Sequence, residues 1–297
     1  MGFDLTVTAR KAVVGSLSAA MPDYFGNLGA RMFLHPRANK SKRHWANAYK
    51  GFEHRSIFVD GHKIPIWTRG EGQPVMLVHG WERDHFTMGG FVAPLLQSGY
   101  QVAALDLPAH GEAEGRAAPL PLLAKAVAAA TNSLNHPAIV IAHSIGAAMT
   151  VLAMEDYDLK PLAAVLISAP SSAKSYAVSQ AVDIGLSQNA INKMVARIST
   201  TLEAPLERFR VDLALKKIPT QTILIHAEDD NIVPFSEAET NAAAAASQTL
   251  WQPSGGHNKI LGDAEMINRV VEWLHTHQDD GVLAAQTETQ GTSNVVS

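Results

Sequence analysis

The chain has 297 residues, 46% of them apolar and 18% charged, with a formal net charge of −4 and no cysteine. That length suffices for one large α/β domain or two modest ones, and the composition is that of a globular protein. The charge offers no handle for nucleic acid or an anionic membrane, the missing cysteines exclude disulfides, thiolate metal sites and cysteine nucleophiles, and no apolar run nears the roughly 20 residues of a membrane span.

Residues 1–50 form a predicted N-terminal helical extension. Within it, Arg10-Lys11 and the soft apolar run Ala12 to Ala20 resemble a signal peptide. Asp4 in the would-be basic region and the shortness of that run favour instead an amphipathic helical segment, about residues 5–35, packed on the main domain or a partner. A cytoplasmic location is therefore expected over secretion. The basic connector Arg37 to Arg43 is a solvated linker.

The main domain is expected over 51–277. Asp60-Gly61, between Ser56–Val59 and Lys63–Trp67, is a strong hairpin signal. Strands and helices then alternate: a strand at Val75–His79, a helix from Phe86 to Ser98, a strand at Val102–Leu105 and a helix from Leu120 to Leu134. Next come a strand at Ile139–His143, a helix from Ala147 to Tyr157, and strands at Ala163–Ser168, Thr222–His226 and Gln248–Trp251. The last helices fall at Ser236–Ala246 and Asp263–His277. An antiparallel start followed by β-α units implies a mostly parallel sheet with helices on both faces. Ser171 to Thr220 interrupts the rhythm with about fifty residues of helical pattern. It is read as a small helical lid over 171–220, with a plain crossover embellishment as the alternative. The polar, aperiodic residues 278–297 are read as a flexible tail.

The chemistry gathers at strand ends. Ser144 lies between a β-branched apolar strand and a helix, flanked two residues away by Ala142 and Gly146. This small-x-Ser-x-small pattern is that of a nucleophile elbow, in which a sharp turn crowds the flanking positions and exposes the hydroxyl at a helix N-terminus. An N-cap serine is the plainer explanation of the same residues. His79-Gly80-Trp81 closes an earlier strand, and its glycine allows a turn that presents a backbone N–H. The expected oxyanion donors are therefore the N–H groups of Trp81 and Ile145. His79 itself is expected to hold its loop, and Asp106-Leu107-Pro108-Ala109-His110-Gly111 is expected to be a tight turn with a structural His110. An acid at the end of strand Thr222–His226 is expected to serve a histidine, with Asp230 the choice and Asp229 the competitor. His257, freed by Gly255-Gly256, is the expected base.

Together these stretches resemble the α/β-hydrolase-fold family over about Ser56 to His277. Val78-His79-Gly80-Trp81 is similar to its oxyanion turn and Asp106 to Gly111 to its D-x-P-G-H-G turn, with Ala109 in place of glycine. Asp230 to Pro234 resembles its D-x-x-V-P acid loop, which decides for Asp230, and Gly256-His257 resembles its histidine loop. His-Gly-Trp-Glu and Ala-His-Ser-x-Gly suggest a bacterial-type serine esterase/lipase-like subgroup, with Ala142 the main departure. The resemblance implies an α/β-hydrolase fold and a carboxylic-ester hydrolase acting through an acyl-enzyme, with Ser144, Asp230 and His257 as triad. A serine nucleophile argues against the dehalogenase and epoxide hydrolase routes, which such folds run with aspartate. Thioester or lactone hydrolysis and acyl transfer use the same residues, and an inactive binding protein on this fold is the alternative from another class. No metal or organic cofactor is expected. The expected partner is a small-molecule ester with an apolar acyl or alcohol part, not nucleic acid, and the oligomeric state is open.

Overall fold

The computed structural model describes residues 5–37, 45–245, 248–252 and 254–276. The residues read as a tail, 278–297, and most of the 37–43 connector lie outside them. Two helices open the chain, α1 (Leu5–Ala20) and α2 (Pro22–Leu34). Strands β1 (Glu53–Val59), β2 (His62–Arg69) and β3 (Pro74–Val78) follow, then α3 (Val92–Gln97), β4 (Gln101–Leu105), α4 (Leu120–Asn132), β5 (Ile139–His143), α5 (Ile145–Asp156) and β6 (Ala163–Ile167). The long insertion holds α6 (Ala173–Asp183), α7 (Gln188–Leu202) and α8 (Val211–Leu215). The chain continues through β7 (Gln221–Ala227), α9 (Phe235–Ala244), β8 (Gln248–Gln252), the short α10 (Gly256–Lys259) and a helix α11 over 264–276.

The strands form one eight-stranded sheet in the order β1-β2-β4-β3-β5-β6-β7-β8. β1 and β2 run antiparallel, and β4-β3-β5-β6-β7-β8 are parallel. Asp60 and Gly61 both take positive φ (47° and 81°), the two-residue type I′ turn that keeps Val59 opposite His62. The parallel strands read as unbroken apolar runs because both sheet faces are covered. Met76 and Val78 pack into one core and Val75 and Leu77 into the other.

One predicted helix needs correction. Phe86 to Ser98 is not a single α-helix: a 3-10 helix spans His85–Phe91 before α3 begins. Within it a glycine pair is closely packed: a Cβ at Gly89 would lie 2.3 Å from the Trp45 Cβ, and one at Gly90 would lie 2.4 Å from the Leu261 carbonyl oxygen.

The N-terminal helices pack chiefly on the insertion, α2 running along α7. Gly26 permits the contact, since a Cβ there would lie 2.5 Å from the Lys193 Cβ and 3.0 Å from the Ala190 carbonyl oxygen. Ser18 adds a polar tie, its Oγ accepting from the Ser187 N–H at 2.8 Å. No helix among the described residues is long and apolar enough to cross a membrane.

Candidate active site

Ser144 stands between β5 and α5 with φ 55° and ψ −123°, a left-handed conformation that is strained for a residue with a Cβ. Its N–H is tied to the Ile167 carbonyl at 2.8 Å, and its own carbonyl accepts the α5 bond from the Ala148 N–H. Gly146 is dictated by the neighbouring strand: a Cβ would lie 2.4 Å from the His79 carbonyl oxygen and 2.9 Å from the Val78 carbonyl oxygen. Gly80 faces the same turn, where a Cβ would lie 3.1 Å from the Ser144 Cβ.

Three side chains from distant parts of the chain meet there. The Ser144 hydroxyl donates to His257 Nε2 at 3.0 Å, and His257 Nδ1–H donates to Asp230 Oδ2 at 2.7 Å. This tautomer follows from the partners, since an ionised carboxylate only accepts. Asp230 Oδ1 takes the N–H groups of Ile232 (2.8 Å) and Val233 (2.9 Å). Burial works to raise the Asp230 pKa, but the His257 hydrogen bond, its charge and the two N–H donors hold it below the ordinary carboxylate value. Asp229, the competing acid, does not touch the histidine ring. It accepts the Gly256 N–H at 2.9 Å and so pins the loop that carries His257.

Two further histidines serve this cluster, and sequence reading assigned neither of them a part. His143 is buried and donates Nε2–H to the His257 carbonyl at 2.8 Å, while burial pushes its pKa down to about 3. His226 donates Nε2–H to the Val233 carbonyl at 2.8 Å, bracing the acid loop from below. His143 ends β5 just before the elbow serine and His226 lies within β7, but an isolated His on an apolar strand carries no local signal of its partner. His79 holds its loop through Nδ1–H to the Gly80 carbonyl (2.8 Å) and by accepting the Leu107 N–H on Nε2 (3.0 Å). Only neutral imidazole can do both, and burial pushes its pKa down to about 3.

Ser144 and His257 open into a cavity of about 390 Å³. Trp81 and Ile145, the residues expected to offer N–H groups, line it beside them. Ile145 is the first residue of α5, so its N–H has no acceptor within the helix. The insertion contributes Tyr176, Ala177, Ile184, Leu186 and Met194 to the wall, and α2 contributes Gly29, Met32 and Phe33. Among the described residues no cluster of three His, Asp or Glu side chains is arranged to hold a metal ion.

Residues 75–270 match the model of the alpha/beta hydrolase family. A Mycobacterium phage D29 protein provisionally named a non-heme haloperoxidase is 23% identical over 255 residues, covering 71% of this chain and 90% of its own. An esterase from Exiguobacterium antarcticum superposes with a TM-score of 0.57 at 16% identity, over 76% of this chain and 99% of that one. A bacterial membrane phospholipase A does so with a TM-score of 0.58 at 17% identity, over 80% and 89%. At these identities the two structures establish likeness of fold alone. The family match, which spans about two thirds of the residues and every strand of the parallel sheet, establishes more: the chain belongs to the alpha/beta hydrolase family.

Proposed function

We propose that the protein is a serine hydrolase that cleaves carboxylic esters through an acyl-enzyme. The observation that carries this reading is the unbroken hydrogen-bond chain Ser144–His257–Asp230, whose serine end opens into the cavity. In this reaction Ser144 Oγ attacks the ester carbonyl carbon as its proton passes to His257 Nε2. Asp230, held ionised, balances the imidazolium charge through Nδ1–H. The carbonyl oxygen becomes an oxyanion, met by the Trp81 and Ile145 N–H groups at the positive end of α5. Collapse breaks the carbon–oxygen bond to the alcohol, which leaves with the proton from His257. Water then enters, gives a proton to His257 and attacks the acyl carbon, and the acid departs as Ser144 regains its proton.

The insertion over 171–220 acts as a lid on this site. It is hung at one end by Ser171, whose N–H and Oγ both donate to Glu237 Oε2 (2.7 and 2.5 Å), and it touches the acid loop through Gln180 Nε2–H to the Ile232 carbonyl (3.3 Å). A fluorophosphonate probe tests the nucleophile. Folded wild type is expected to label and to hydrolyse p-nitrophenyl esters, and Ser144→Ala to do neither. Equal labelling or turnover by the two proteins would refute the assignment. Thioester, lactone and peroxide-dependent assays on the same pair separate ester hydrolysis from its chemical neighbours, including the activity in the phage relative's name.

A further inference from the structure

One wall of the cavity comes from outside the segment that matches the family. That segment starts at residue 75, whereas α2 precedes it by forty residues. Away from His143, Ser144 and His257, the buried lining is apolar: Leu186 (9% exposed), Met194 (3%), Ala177, Ala181 and Gly29. The lining that reaches solvent is mixed, with Arg37, Glu82, Arg83 and Gln180 standing there beside Met32 and Phe33.

Resting on the reaction proposed above, we infer that the buried apolar part between α2 and the insertion is the acyl site, that it takes aliphatic acyl groups, and that Gly29 sets its depth. Covalency supplies the reason for placing the acyl group inside. After the first half-reaction the acyl group stays bonded to Ser144, while the alcohol must leave and water must arrive. The half of the site exchanging with solvent is therefore the one beside the exposed charged side chains, and the half that stays filled is the buried, apolar one.

The two glycines of α2 facing the insertion differ in what a side chain would meet. At Gly26 a Cβ strikes backbone, with the Ala190 carbonyl oxygen and the Met194 nitrogen both at 3.0 Å, so that glycine lets two helices touch. At Gly29 a Cβ meets only flexible side chains, Met194 Sδ at 2.8 Å, Met194 Cγ at 3.1 Å and Leu186 Cδ1 at 3.6 Å. Both of those residues line the cavity. A side chain at 29 thus displaces cavity-lining side chains instead of backbone. The Arg37 N–H donates to Glu82 Oε1 at 3.0 Å, which fastens the segment after α2 to the loop carrying Trp81 and keeps this wall in register with the nucleophile.

The test compares kcat/KM for p-nitrophenyl acetate, butyrate, octanoate and laurate in wild type, Gly29→Leu and Met194→Ala. Gly29→Leu is expected to lower the octanoate value roughly tenfold or more while acetate stays within about twofold. Met194→Ala is expected to shift preference the other way, toward laurate. Should Gly29→Leu fail to fold, the Met194→Ala profile decides alone. Equal change for all acyl lengths overturns the inference. So does a shift that follows alcohol length in a series of acetate esters, which would make the buried apolar part an alcohol site. A wild type whose ester hydrolysis does not depend on Ser144 removes instead the reaction on which the inference rests, and is recognised by the alanine variant.

Discussion

Two buried aspartate–histidine pairs sit at strand ends of this sheet, built in nearly the same way. Asp230 gives one oxygen to two backbone N–H groups and the other to His257 Nδ1. Asp106, just after β4, accepts the His85 N–H (2.7 Å) and His85 Nδ1–H (3.0 Å) on one oxygen and the Glu112 N–H (2.7 Å) on the other. Burial works to raise the Asp106 pKa, yet the hydrogen bond and charge of His85 hold it low, as His257 does for Asp230. What separates the pairs lies beyond the imidazole. His257 turns its far nitrogen to a serine in a cavity, whereas the His85 ring is stacked 3.6 Å from Trp67 and edge-on to Tyr49. An aspartate–histidine hydrogen bond is thus not what distinguishes the two places. The environment of the other ring nitrogen is.

The contrast is broken most sharply by removing the acid from each pair. Asp230→Asn is expected to lower kcat roughly 10⁴-fold, because the amide no longer holds the required tautomer, with the melting temperature little changed. Steady-state kinetics beside thermal unfolding check both halves. Asp106→Ala is expected to do the reverse. It leaves the buried His85 donors without an acceptor and frees the Glu112 N–H, at a cost of about 3 kcal/mol in urea unfolding, while kcat per folded molecule stays within a few-fold. If Asp106→Ala abolishes turnover in well-folded protein, the two pairs are not functionally distinct.

Acid sharpens the comparison further. His79 and His143 have native pKa values pushed to about 3 by burial, against roughly 6.5 when unfolded. The unfolded chain binds their protons first, so their contribution is full above pH 6.5 and is lost as pH falls toward 3. At pH 5 the expected loss is about 2 kcal/mol for each, read from urea midpoints at pH 7 and pH 5. His143→Gln is expected to flatten that slope. The smallest effect belongs to Asp229→Ala, which frees the Gly256 N–H. A few-fold drop in kcat is expected, with unchanged unfolding, because the loop alone loses a tether.

Much of the fold was legible in residue order. The strands fall on the apolar runs because a sheet covered on both faces demands them, and the Asp60-Gly61 hairpin turns where two positive φ values are needed. The elbow was legible because its small residues flank Ser144 at a fixed two-residue spacing, although the backbone Gly146 answers to, at Val78 and His79, belongs to the end of the neighbouring strand. The helix expected from Phe86 to Ser98 is present, but its first half is 3-10, and the contacts of Gly89 and Gly90 with Trp45 and Leu261 are ones no local spacing encodes.

Sequence alone thus specified the order of elements, the family resemblance and the three side chains that meet. The order of elements rests on short-range rules of strand, turn and helix. The resemblance decided between Asp230 and Asp229, and the support given by His143 and His226 was not reachable at all. Nor was the closure of the cavity by α2, where Gly29 meets Met194 across more than 160 residues of chain. Those contacts join elements that approach only when the sheet and its insertion are assembled, and a linear pattern holds no trace of such an approach.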